Sequence, residues 1–183
     1  MSPDETVGGR QPEPAVETGL LAILAILVAN DVEFLLVGGL AVGYHGYPRA
    51  TKDIDIVPEP DASNLDKLWV ALVELEAEML AVGELRREEM PVQLSAEALR
   101  GGANWDLSTT HGRLDVIQVI EGALEAPEDY QRLRSGAVAG RYPFGTVWVA
   151  GYDELIDLKT LAGRDQDLID IRALREANDD TAP

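Results

Sequence analysis

The stretch Leu35-Leu36-Val37-Gly38-Gly39-Leu40-Ala41-Val42, followed by Arg49-Ala50-Thr51-Lys52-Asp53-Ile54-Asp55-Ile56-Val57, decides how this chain is read. Glu33 to Val37 is a short apolar run and reads as a buried strand. Gly38-Gly39 turns that strand into a short helix from Leu40 to about Tyr44, and His45 to Pro48 form a loop. Asp53 to Val57 is a second strand, ended by Pro58 and Pro60. Alternate residues of a strand share a face, so Asp53 and Asp55 project together while Ile54 and Ile56 turn into a core.

Two carboxylates on one face can share divalent cations. Mg²⁺ commonly takes one or two carboxylates and completes its shell with waters and substrate phosphates. A third carboxylate is expected from a neighbouring strand, and Asp115, inside the otherwise apolar run Leu114-Asp115-Val116-Ile117, is the candidate. Carboxylates clustered without a cation repel one another and hold their protons more tightly. Glycine lets a backbone approach a phosphate closely, and the helix after it offers free N–H groups and the positive end of its dipole. Taken singly, each part also fits something plain: a Gly-Gly loop, a half-exposed Asp-Ile-Asp-Ile strand, a polar residue near a hairpin. Together they suit a nucleoside triphosphate (NTP) with Mg²⁺, attacked in line at its α-phosphorus.

The remaining sequence reads as one domain of mixed α/β (α+β) class, a central sheet flanked by helices, over residues 15–178. An acidic, proline-rich tail at 1–14 and a short end at 179–183 are expected to be disordered. Helices are expected at Ala15 to Ala29, from an Asp61 or Ser63 cap to about Met79, at Ser95 to Leu99, at Glu128 to Leu133, at Asp153 to Ala162 and at Asp165 to Ala177. Trp105 to Thr109 and Arg113 to Ile120 read as paired strands joined through His111-Gly112. Thr146 to Val149 is a further strand within Val138 to Ala150.

Composition narrows function. The 183-residue chain has no cysteine, which removes disulfides, thiolate metal sites and cysteine nucleophiles. Its formal net charge is −18, with no block of Lys and Arg, so nucleic acid is a poor partner unless a basic protein intervenes. The acidic surface tolerates a cationic substrate and also serves solubility. Leu20 to Ala29 is apolar but about half the roughly 20 residues a membrane span needs. No basic leader precedes it, so a cytoplasmic protein is expected.

Gly38-Gly39-Leu40-Ala41, then His45-Gly46, Arg49, Thr51, Asp53 and Asp55, resembles the nucleotidyltransferase superfamily, whose fold is that of the catalytic domain of DNA polymerase beta. The likeness is to its small stand-alone bacterial members, including relatives of AbiEii-type toxins. The later segment Tyr152 to Asp167, a leucine-rich helix with Lys159, then Gly163-Arg164 and an Asp before the last helix, resembles the family's closing pattern, and the likeness spans about Glu33 to Leu174. The resemblance implies a Mg²⁺- or Mn²⁺-dependent transfer of NMP from an NTP such as ATP. Asp53, Asp55 and Asp115 would be the catalytic metal ligands, and Gly38 and Gly39 the phosphate contacts. Lys159 would face the triphosphate, and Arg49, Thr51 and Arg164 the nucleotide or the acceptor.

The acceptor is left open between a protein hydroxyl, as for toxin–antitoxin members, an RNA end and a cationic small molecule. A protein partner or a homodimer is also left open. The alternative reading is a catalytically silent binding module on the same fold, and behind it a plain α/β domain. Lys52 and Lys159 fall in the motif segments of a chain with only three lysines against twelve arginines. Lys52 alternates away from Asp53, which suits a salt bridge equally well. His45 follows the glycine turn and is a pocket candidate; His111 reads as a hairpin residue.

Overall fold

The computed structural model describes residues 18–80 and 92–179. The expected tail at 1–14, residues 180–183 of the expected tail at 179–183, the first residues of the first helix and most of the segment between Val82 and Leu94 lie outside them; Asp179 is the last residue of a helix. Seven strands form one sheet in the order β3-β4-β5-β2-β1-β7-β6. They are β1 (Phe34–Val37), β2 (Asp53–Pro58), β3 (Glu78–Met79), β4 (Trp105–Thr109), β5 (Gly112–Val116), β6 (Val138–Tyr142) and β7 (Gly145–Val149). The sheet is mixed: β1 runs parallel to β7 and β2 parallel to β5, while β1–β2, β3–β4, β4–β5 and β6–β7 are antiparallel. The helices are α1 (Thr18–Ala29), α2 (Gly38–Tyr44), α3 (Ala62–Glu74), α4 (Ala96–Arg100), α5 (Pro127–Ser135), α6 (Tyr152–Ala162) and α7 (Asp165–Asp179). The α/β class read from the sequence is the class observed.

The core follows from two periodicities. Along α1, Leu20, Ile23, Leu24 and Leu27 recur at helical spacing and are buried. The helix passes close over the sheet: a Cβ on Gly112 of β5 would stand 3.0 Å from Leu20, and one on Gly145 of β7 would stand 2.8 Å from Val28, and both glycines have a positive φ that other residues rarely adopt. Along β2, Ile54 and Ile56 are fully buried and the aspartates between them are not. The central strand β1 has no polar face; Phe34 to Val37 are all buried, as a strand covered on both sides requires.

Two expected elements end elsewhere, and one further strand forms. The helix expected to reach Met79 stops at Glu74, because Glu76 turns left-handed (φ 51°) and Ala77 donates its N–H back to the Leu72 carbonyl at 2.9 Å. Glu78 and Met79 then form the edge strand β3. The helical spacing of the apolar residues continues past that turn, which is why it misleads. The strand expected to run to Ile120 ends at Val116, where the Asn104 side chain accepts from the Gln118 and Val119 amides in place of a strand partner. Val138 to Tyr142 forms a strand of its own, paired with β7.

Candidate active site

The strand pairing brings the predicted carboxylates together. β2 and β5 are in register with Asp55 beside Asp115 and Asp53 beside Arg113. On the far side of β5, Asp106 of β4 is beside Asp115. Registered neighbours share a face, so Asp106, Asp115 and Asp55 make a row across three strands. The row ends beneath the glycine turn, since Val37 of β1 is the partner of Asp55.

That turn is shaped around Asp55. Gly38 has φ +64°, and a Cβ there would stand 1.8 Å from Asp55 Oδ2. Any other residue would be strained and would displace the carboxylate. The Gly39 backbone N–H donates to Asp55. The segment after it is packed as closely: a Cβ on Gly39 would lie 2.8 Å from Thr51 Oγ1. Thr51 in turn donates to Asp53 Oδ1 at 2.9 Å. Here the two glycines therefore serve the carboxylates, and Thr51 orients Asp53.

The row lies along a cleft of about 420 Å³. Asp55, Asp106, Asp115 and Asn104 line it, with Lys159, Arg164 and Asp167 and an apolar wall that includes Ile117, Ile120, Leu155 and Leu158. Burial raises the pKa of Asp55 above the ordinary carboxylate range, and the charge of Asp53 adds to this. The Gly39 amide, Lys159 and Arg164 pull the other way. Asp115 is pushed up to about 7, first by burial and then by the charges of Asp55, Asp106 and Asp53. Its Oδ1 is buried and has no hydrogen-bond partner.

An orphaned buried oxygen among like charges is the local chemistry a divalent cation relieves. Among the described residues, no three His, Asp or Glu side chains stand together as a ready-made ligand set. The fit is therefore to an ion held by one or two of these carboxylates and completed by substrate phosphates, the usual habit of Mg²⁺.

The predicted cations behave differently from one another. Lys159 is buried, 3.0 Å from Asp167 and 2.7 Å from Asp170. Arg164 pairs with Asp167 at 2.7 Å but leaves 76% of its side chain exposed at the cleft. Arg49 is bound by Asp170 rather than open to solvent. His45 donates its Nε2–H to the Ala150 carbonyl at 2.7 Å and lies edge-on to Tyr44 and Tyr152. That ties α2 to the start of α6. His111 is an exposed hairpin residue, and Lys52 is exposed.

Sequence reasoning missed Asp106, Asp167 and Asp170. Asp106 carries no local signal, because only the β4–β5 register makes it a neighbour of Asp115. Asp167 and Asp170 had one: they share the helical spacing of Ile171 and Leu174, the buried stripe of α7.

The sequence matches no protein-family model and no curated protein. Solved structures do match by shape. The lincosamide antibiotic adenylyltransferase LnuA, in its lincomycin-bound form, is 18% identical with a TM-score of 0.57, covering 90% of this chain and 99% of that one. An antigenic nucleotidyltransferase-like protein from Paracoccidioides brasiliensis is 16% identical with a TM-score of 0.52, covering 87% and 77%. ANT(2'')-Ia, in complex with adenylyl-2''-tobramycin, is 15% identical with a TM-score of 0.51, covering 83% of each chain. The architecture of this chain is thus the nucleotidyltransferase fold.

Proposed function

We propose that this chain is a nucleotidyltransferase that moves NMP from an NTP to a hydroxyl of a small cationic acceptor, with a divalent metal ion as cofactor. The observation that carries the reading is the Asp55–Asp115 pair, in register on parallel strands, with Asp115 Oδ1 buried and unpartnered and Asp55 packed against the Gly38 turn. A silent binding module has no use for that arrangement, which costs free energy unless a ligand offsets it.

Asp53 and Asp55 would hold the cation, with Asp115 beside them. When bound, it would neutralise the phosphate oxygens and stabilise charge on the transferring group. Arg164, exposed at the cleft, meets the incoming triphosphate. The acceptor oxygen attacks the α-phosphorus, the bond to the β-phosphate oxygen breaks, and pyrophosphate leaves. Asp115, beside the cation ligands on the cleft, is placed to take the hydroxyl proton as general base.

The small cationic acceptor is favoured by the acid row, which extends past Asp115 to Asp106. The net charge of −18 agrees with it and disfavours an RNA end. Two of the structurally similar proteins are named for antibiotic acceptors or solved with them. No separate observation supports an AbiEii-type toxin role.

Titration calorimetry with ATP, GTP, CTP and UTP in Mg²⁺ tests the donor side. Micromolar-to-millimolar binding of at least one NTP is expected, lost in Asp55→Ala. Wild-type protein that binds none, or a variant that binds as wild type does, overturns the reading. Incubation with labelled NTP and a panel including lincomycin and tobramycin tests the acceptor class, and label passing only to protein or RNA overturns that class.

A further inference from the structure

Behind the cleft runs a chain of alternating charges: Arg49, Asp170, Lys159, Asp167, Arg164. Asp170 is its centre. It is fully buried on α7. Its two oxygens accept from Arg49 Nε at 2.8 Å and from the second Arg49 nitrogen at 2.9 Å, a two-point fork. Lys159 Nζ of α6 lies 2.7 Å from Oδ2, and Gln166 Nε2 donates to Oδ1 at 2.9 Å. Three cations and two carboxylates leave one positive charge over, and its most exposed bearer is Arg164.

Three separate parts of the site meet at this carboxylate. Arg49 begins the segment that leads through Thr51 to Asp53, and its guanidinium lies 3.2 Å from where a Gly39 Cβ would be. Lys159 lines the cleft from α6. Asp167, one turn before Asp170, holds Arg164. A buried ion pair is weak evidence for a stabilising role, because desolvation consumes most of its attraction. What such a group does well is fix one geometry.

We propose that Asp170 is a positioning residue: by holding Arg49 and Lys159 at once, it sets the metal-side segment Arg49–Asp53 and the Gly38–Gly39 turn at a fixed distance from the phosphate-side cation Arg164. The nucleotide part of this inference rests on the function proposed above; the geometric part does not. Asp170 touches no substrate and acts through Arg49 and Lys159. Lys159, saturated by two carboxylates, is then part of the frame, and Arg164 is the phosphate contact.

The test uses the full chain with Asp170→Asn and Arg49→Lys. The second keeps the charge and loses the fork, and its side chain is 23% exposed, so it remains folded if the first does not. Backbone amide NMR spectra of the variants are expected to move Gly38, Gly39, Thr51 and Asp53, and to leave the β6–β7 hairpin in place. MgATP and inorganic tripolyphosphate affinities are expected to fall by about 2- to 30-fold, the range for residues that act without touching the ligand. Arg49→Lys should lie between wild type and Asp170→Asn. Shifts confined to α7, or wild-type affinity in both folded variants, overturn the proposal. If wild-type protein binds no nucleotide, the proposed function fails, and the amide pattern alone decides the positioning role.

Discussion

Asp115 and Asp170 are the same residue type, and both are drawn out of water, yet the molecule treats them oppositely. Asp170 meets Arg49, Lys159 and Gln166, and these hydrogen bonds hold its carboxyl below the usual range despite burial. Asp115 meets Asp55, Asp106 and Asp53, and its carboxyl is pushed up to about 7. Desolvation is the largest effect on both; the neighbours decide the sign. The paired carboxylate is a finished part of the frame. The unpaired one is an unfinished site, carrying an electrostatic cost that a bound cation can offset.

The largest expected effect comes from breaking the finished half. Asp167 is buried and holds Lys159 Nζ, Arg164 Nε and the Arg164 amide. Asp167→Ala leaves Lys159 with one partner where it had two. Removing one partner of a buried pair typically costs about 3–5 kcal/mol. Urea unfolding should show a loss of that order with an unchanged slope. A loss under about 1 kcal/mol would mean water already satisfies Lys159, and the contrast with Asp115 would dissolve.

The middle effect is a pH dependence, and the two halves predict opposite signs. Asp115 binds its proton more tightly folded than unfolded, its pKa moving from 3.8 to about 7. Its contribution is therefore full below about pH 4 and lost as pH rises through about 7. Asp167 and Asp170 are shifted down. Their contribution is present above about pH 4 and lost as pH falls through their lower folded values. In Mg²⁺-free buffer, Asp115→Asn should remove only the first slope. Its melting temperature relative to wild type should rise between about pH 4 and 8. Added Mg²⁺ at pH 8 should stabilise wild type more than the variant, which keeps Asp53 and Asp55 but no longer has the Asp115 charge for a cation to neutralise. Parallel curves for the two proteins would refute the assignment of Asp115 as the unfinished group.

The two halves also differed in how well the sequence disclosed them. The strand, glycine turn, helix and Asp-x-Asp strand were legible because each signal is local: an apolar run, a residue without Cβ, a period of two. Asp115 was legible because a charge inside Leu114–Ile117 has to be explained. Asp106 was not, since its neighbours Trp105 and Leu107 make it an ordinary outward residue until β4 folds back on β5. Lys159 was placed at the triphosphate by the resemblance; it lines the cleft and is held there by Asp167 and Asp170, a pairing that only the packing of α6 on α7 discloses. The turn at Glu76 was hidden for the same kind of reason: helical spacing of apolar residues persists past the point where the backbone leaves the helix.

The smallest expected effect belongs to an aspartate outside both halves. Asp66 pairs with Arg100 between α3 and α4, and both side chains are nearly half exposed. Water screens the pair and already solvates each partner, so exposed pairs contribute about 0.2–1 kcal/mol. Asp66→Asn should lower the melting temperature by less than about 4 °C in a chain of this size, and by less still in high salt. It should leave the pH profile and nucleotide affinity unchanged. The same exchange of carboxylate for amide then has three outcomes at three depths: little at Asp66, a relieved pH slope at Asp115, a displaced active-site segment at Asp170. If Asp66→Asn instead matched Asp170→Asn, loss of negative charge from an acidic chain would explain both, and the contacts of Asp170 would not be the cause.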